Sequence, residues 1–153
     1  MSVQTVAGAV LSISAGAPAS FDSAGYTALT LTAIGQITDA GQHGRVYNVV
    51  THNPIGTRGT QKFKGSFNEG QKVLTIGIDD NDAGQTLAIA GLNSDNDYSF
   101  KVLYQDGAID YFQAKVVGFQ KSMTGVDTML SASLTLEITT SASGVGIVHV
   151  EAP

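Results

Sequence analysis

Three histidines, His43, His52 and His149, are where chemistry could begin in this chain, because imidazole both ligates metals and moves protons near neutral pH. A cupin-like metal centre would need them at ligand spacing beside an acidic neighbour. Neither the spacing nor a carboxylate at a helical interval is present, so they read as surface histidines. Asp79-Asp80-Asn81-Asp82 has the composition of a calcium loop without its order, since no D-x-[DN]-x-[DN]-G run with a closing Glu fits over it. It reads as a solvated, helix-capping turn, and Asp95-Asn96-Asp97 reads the same way. Serines and threonines are abundant, yet none stands in G-x-S-x-G or S-x-x-K, and hydroxyls at alternating positions are what exposed strand faces carry. Gly41-Gln-His-Gly44 and Gly56-Thr-Arg-Gly59 lack the GK[ST] ending of a phosphate loop. No carboxylate pair stands out for glycoside chemistry. The absence of cysteine excludes a disulfide scaffold, a thiolate zinc site and a cysteine nucleophile together. No catalytic residue, cofactor site or metal site is assigned, and the chain reads as non-enzymatic.

Composition points to assembly. At 153 residues the chain suits a single domain, 1–153, with its core over about 10–140 and flexible N- and C-terminal arms. Charged residues make up 14%, against ~25% in an average soluble protein, which leaves a mild surface suited to burial against neighbouring copies. A net charge of −5 argues against gripping nucleic acid, which relies on Lys and Arg displacing counterions. It does not argue against letting nucleic acid pass. Val6–Ser20 imitates an apolar signal core with a small-residue cleavage site, but the first basic residue is Arg45, so the expected basic n-region is missing. No apolar run approaches the ~18–20 residues of a membrane span.

The elements that must position these residues are mostly strands. Leu130, Ala132, Leu134, Leu136 and Ile138 alternate with Ser131, Ser133, Thr135, Glu137 and Thr139, the signature of a half-buried strand. Thr27–Ile34 predicts a second such strand, with Leu29, Leu31 and Ala33 on one face. Val10–Ser14 and Val73–Ile78 predict two more, the latter after a turn at Asn68-Glu-Gly70, with Phe63 and Phe67 anchoring the strand before it. Tyr98–Tyr104 and Ala108–Gln120 predict an antiparallel pair turned by Asp106-Gly107, a positive-φ pair. A short helix is expected over about Ala83–Ala90, capped by Asp82 and ended by Gly91, with Leu87 and Ala90 inward. From about Asp39 to Thr60, glycines and Pro54 surround Val46–Val50 in what reads as a long interaction loop. Arg45, Arg58, Lys62 and Lys64 gather around it while acids cluster near the helix, which is open between a charge asymmetry able to match one copy to the next and ordinary surface scatter. Ser141–Pro153 is open between a tail, an added edge strand and a second arm.

This order of elements, with Tyr98-Ser-Phe-Lys-Val-Leu-Tyr-Gln-Asp-Gly-Ala-Ile-Asp-Tyr-Phe-Gln-Ala-Lys-Val-Val-Gly-Phe119 as the hairpin after the helix and Gln120–Asp127 as the loop before the last strand, resembles the tail tube proteins of lambda-like siphophages. That fold is shared with contractile tail tubes and the type VI secretion ring protein. The resemblance implies a β-sandwich or barrel with one short helix, closing as a homo-hexamer whose rings stack into a helical tube that conducts genomic DNA without specific binding. It implies tape measure, tail tip and terminator proteins as partners, no membrane, and a place in the virion tail after assembly in the host cytoplasm. It further implies that Met1–Val10 and a loop holding Gly41, His43, Arg45, Tyr47, His52 and Arg58 reach the adjacent ring. By strand alternation, Asp110, Ser131, Ser133, Thr135, Glu137 and Thr139 are the expected lumen-facing set. Some relatives append an immunoglobulin-like domain, for which the stretch up to Pro153 leaves no room. The alternatives are a contractile-tail or type VI ring protein with the same fold, and a sugar-binding β-sandwich, which the lack of Trp disfavours.

Overall fold

Alternating side chains give most of this chain two unlike faces, and the fold is the arrangement that hides one of them. A computed structural model describes residues 3–153, so Met1 and Ser2 of the expected N-terminal arm lie outside the described residues. Its elements are β1 (Val10–Ser14), α1 (Ser23–Thr27), β2 (Thr32–Ala33), β3 (Ile37–Asp39), β4 (Val46–His52), β5 (Gln61–Asn68), β6 (Gln71–Gly77), α2 (Ala83–Leu92), β7 (Tyr98–Leu103), β8 (Ile109–Ser122), β9 (Ser131–Thr139) and β10 (Val148–Val150). The protein is mainly β, as expected, with a curled antiparallel sheet in the order β2-β1-β7-β8-β9-β6-β3. The open choice for the C-terminal segment falls on an added strand: β10 pairs with Ile109–Tyr111 of β8, past the point where β9 ends opposite Gln113.

The two ends of the sheet are joined by one stretch of chain. β2 borders β1 and β3 borders β6, so residues 32–39 cross the gap between the edges and bring the sheet to a half-barrel. Helix α2 sits over this crossing. Its cap Asp82 accepts from Gln85 N at 3.0 Å and from Gly35 N at 3.0 Å, while the buried Gln85 amide donates to the carbonyls of Gly35 (3.1 Å) and Gly77 (2.8 Å). One helix terminus therefore ties both sides of the crossing together.

Inside the curl lies the core. Ile13, Leu74, Ile76, Phe100, Phe112, Leu134 and Leu136 are fully enclosed, and the Phe100 and Phe112 rings stack at 5.4 Å. Strand β9 buries Ala132, Leu134, Leu136 and Ile138 and leaves its hydroxyl-bearing positions half-buried, as its alternation predicts. Leu130 falls before the strand and stays exposed.

Several expectations are corrected. Thr27–Ile34 is not a strand: α1 claims Thr27, only Thr32 and Ala33 pair, and Ile34 rather than Leu31 enters the core. The segment crosses the seam instead of running along an edge, so alternation has no continuous partner to act upon. Helix α2 runs through Gly91 to Leu92 and turns Gly84, Gln85, Ala88 and Gly91 inward, leaving Ala90 exposed and Leu87 half-buried. Gly91 is there for close approach, because a Cβ would stand 3.0 Å from Val116 and 3.2 Å from Tyr98. At the β7–β8 turn only Gly107 has positive φ, and Tyr104 N bonds to Ala108 O across three intervening residues. That is the longer, single-glycine hairpin rather than the two-residue one.

Candidate functional site

The long interaction loop is a β-ribbon. Strands β4 and β5 pair only with each other, through Val46↔Asn68, Tyr47↔Phe67, Val49↔Lys64, Val50↔Phe63, Thr51↔Lys62 and His52↔Gln61. Every residue of β4 is exposed. Phe63 is 56% exposed and anchors nothing in the core, while Phe67 is half-buried beneath Arg45. Opposed residues of an antiparallel pair share a face. Tyr47, Val49, Thr51, Lys62, Lys64 and Phe67 therefore form one side of the ribbon, and Val46, Val50, His52, Gln61 and Phe63 the other. The first side is cationic and aromatic, with the Arg45 guanidinium 3.8 Å from the Phe67 ring centre and Lys64 Nζ 4.9 Å from that of Tyr47.

Where the ribbon leaves the barrel, a polar cluster holds it. Gly41 turns the chain at φ 64, and a Cβ there would overlap the Val73 carbonyl oxygen, so only glycine fits. Next, His43 reaches back over the core, its ring 5.7 Å from Phe112, and donates from Nε2 to Asp110 Oδ2 at 2.9 Å. Its Nδ1 accepts from Lys72 Nζ at 3.1 Å. Tyr104 Oη donates to Asp110 Oδ2 at 2.6 Å and His149 Nδ1 to Asp110 Oδ1 at 2.6 Å. Two residues on, Arg45 Nε donates to Glu69 Oε1 at 2.7 Å, a carboxylate only 2% exposed, which links the start of β4 to the end of β5.

Burial would raise the Asp110 carboxyl, but hydrogen bonds from His43, Tyr104 and His149 and the nearness of the His43 ring outweigh it and hold the group down at about 2. Burial pushes the Lys72 ammonium below the usual lysine range against the pull of Asp110 and Asp39. The Tyr104 phenol is pushed up by burial and by its bond to Asp110. Chemically, the cluster is a lock. Both nitrogens of His43 are engaged, so the ring has no lone pair free to accept a substrate proton, and no serine or threonine hydroxyl bonds to it.

The expected residue sets are thus redistributed. Gly41, His43 and Arg45 belong to the root of the ribbon, whereas Tyr47 and His52 lie along it and Arg58 lies in its tip between β4 and β5. The surface reading fails for His43, whose side chain is 12% exposed, and holds for His52. Asp110 is corrected: it does not face open space, because its carboxylate is buried at the root and accepts from three side chains, those of His43, Tyr104 and His149. Nothing in the sequence points to this cluster, whose directly bonded members lie up to 67 residues apart. Ser131, Ser133, Thr135, Glu137 and Thr139 do share one half-buried sheet face, joined by Gln71, whose amide donates to Glu137 at 2.6 Å, and by Thr75 opposite Ser133.

A curled sheet tied by one helix, with a ribbon anchored outside it, defines the fold by which the chain can be compared with known structures. No protein-family model matches the chain, and no curated protein matches it. Among solved structures it is similar to a chain of the anti-feeding prophage baseplate, determined by cryo-EM with 6-fold symmetrisation, with a TM-score of 0.69, 13% identity and 99% of each chain covered. It is likewise similar to a chain of an extracellular contractile injection system, the PVC sheath/tube terminator in its extended state, with a TM-score of 0.64, 8% identity and 99% of each chain covered. Those values establish a shared fold over essentially the whole chain.

Proposed function

We propose that this chain is a structural subunit of a phage-derived tail or contractile injection particle, closing into six-membered rings that stack into or terminate its inner tube. The observation that carries this reading is the ribbon: a two-stranded hairpin is at best marginally stable alone in water, and this one exposes Val46, Val49, Val50 and Phe63 on its two faces. Such an element is completed by a neighbour. One similar structure comes from a contractile injection system and another from a prophage baseplate symmetrised sixfold, which supports a contractile setting over the non-contractile siphophage tail that the hairpin motif suggested.

In this reading the hydroxyl-rich face of β9 and β6 lines the bore. Ser131, Ser133, Thr135 and Thr139 offer water-bound hydroxyls, Glu137 adds like charge toward nucleic acid, and Lys115, opposite Glu137 on β8, is already paired with Asp97. Tape measure and terminator proteins are the other expected partners, in the particle's tail. Negative-stain microscopy of the concentrated protein tests the reading. Sixfold discs or hollow filaments are expected, and a discrete monomer at every concentration and salt would overturn it.

A further inference from the structure

The ribbon and the body of this chain are opposite in charge. Residues 41–68 contain Arg45, Arg58, Lys62 and Lys64 and no acid, which leaves Lys72, Lys101, Lys115 and Lys121 against all thirteen acids elsewhere. Counted this way, the ribbon with its root is +4 and the remainder −9. An equally long stretch, 73–100, is the mirror case: it contains Asp79, Asp80, Asp82, Asp95 and Asp97 and no base. Helix α2 lies within it, with acids before its first turn and after its last.

These acids differ in what they already do. Asp82 caps α2, and Asp97 pairs with Lys115. Asp80 and Asp95 are exposed and have no cation partner among the described residues, and Asp79 spends one oxygen on the Asn81 amide. On the ribbon, Arg45 is taken by Glu69. Lys62, Lys64 and Arg58 are exposed and meet no carboxylate among the described residues. Three of the unpaired cations thus lie on one element, while Asp80 and Asp95 flank α2, where Lys121 is the one base lining the groove beside Asp79 and Asp80 among the described residues. The ribbon, held at its root by the Asp110 cluster, pairs with no strand of its own barrel and is exposed along β4. We infer that the cationic side of the ribbon docks on the acidic α2 side of a second copy, head to tail, with Lys62 and Lys64 facing Asp79 and Asp80. This rests on the assembly reading above and names the surfaces that it uses. Heterologous pairing of this kind repeats until it closes or extends, as rings and tubes require. A nucleic-acid ligand fits less well, because the chain as a whole carries −5 and the cationic side itself exposes Val49, which phosphates would leave uncovered.

Full-length protein with Lys62→Glu and Lys64→Glu, with Asp79→Lys and Asp80→Lys, and with all four changes decides the matter by sedimentation velocity and microscopy, circular dichroism confirming that each variant is folded. All four side chains lie outside the core, and the milder Lys62→Gln with Lys64→Gln provides a graded control. Each double reversal should raise the concentration needed for assembly on the order of tenfold or more, and the fourfold variant, or a mixture of the two reversals, should restore it. Wild-type assembly should weaken with added salt. If the wild type assembles and the double reversals assemble equally well, or the fourfold variant fails to recover, the docking surfaces are wrong while the assembly reading stands. A wild type that stays monomeric removes both. Retention of a short duplex DNA by the wild type and its loss in the Lys62/Lys64 variants, with assembly unchanged, would give the ribbon to nucleic acid and overturn the docking.

Discussion

A carboxylate that accepts from two imidazoles and a phenol at once keeps its charge because those donors outweigh the cost of enclosing it, and Asp110 is in that position. Its folded-state value of about 2 lies below the ~3.9 of an unfolded aspartate, so the sign of the linkage is fixed. The stabilisation it brings is complete above about pH 4 and is lost as the pH falls toward about 2. Asp110→Asn should therefore lower stability by about 3 kcal/mol at neutral pH, since an amide cannot serve all three donors. It should also flatten the acid limb, which urea denaturation at a series of acidic pH values would show. Tyr26 gives the opposite expectation. Its hydroxyl is buried without a hydrogen-bond partner, burial pushes the phenol up to about 12, and its ring stacks on Tyr111 at 5.2 Å. Tyr26→Phe keeps the stack and removes the orphan group, so thermal denaturation should find it unchanged or up to about 1 kcal/mol more stable. Neither site was legible in the sequence. Asp110 looked like an outward strand position because alternation assigns faces but not what covers them, and the loop carrying His43 supplies the cover.

Elements read from local pattern were largely recovered where the pattern had one continuous partner. Strand β1 matches its expected bounds, β9 its face, and α2 its cap, since capping and alternation act over a few residues. Of the ribbon, the stretch with Phe63 and Phe67 reads as a strand in the sequence, whereas β4 reads as part of a loop because it buries no face: Val46, Val49 and Val50 lie on both sides and give no single period. The inward face of α2 is only partly legible for a related reason: Leu87 does pack on the core, but Ala90 does not, as close packing on the seam selects Gly84, Ala88 and Gly91. Gln85 is the element's key contact. Its amide is 2% exposed and forms three backbone hydrogen bonds, to Gly35 O, Gly77 O and Asp79 N. Gln85→Ala should cost about 2–3 kcal/mol by leaving those groups without partners. Gln85→Glu should be no better, since a carboxylate would face two carbonyl oxygens. Equilibrium denaturation measures the loss, and hydrogen exchange should place it at residues 32–39 and 75–77.

At the scale of the molecule, barrel and ribbon are separable in a way that can be tested by cutting. Strands β4 and β5 contribute no partner to the main sheet, and none of the enclosed hydrophobic residues lies between Val46 and Asn68. The two roots of the ribbon also meet: a Cβ placed on Gly70 would lie 3.2 Å from the Gly44 carbonyl oxygen, so a short glycine linker can close the chain once residues 46–68 are removed. Arg45 would keep Glu69, and His43 would keep Asp110 and Lys72, so the buried charges at the root stay paired. Shortening a loop of this length changes closure entropy by only about 1 kcal/mol and in the stabilising direction. The truncated protein should therefore fold with a melting temperature within a few degrees of the full chain, with the same near-ultraviolet signature from Phe100, Phe112 and Tyr111. It should remain monomeric where the full chain assembles. Failure to fold would mean that the ribbon supports the barrel from outside the core. Assembly without the ribbon would move the subunit contacts to the sheet edges at β2 and β3, where unpaired backbone groups are the alternative means of joining copies.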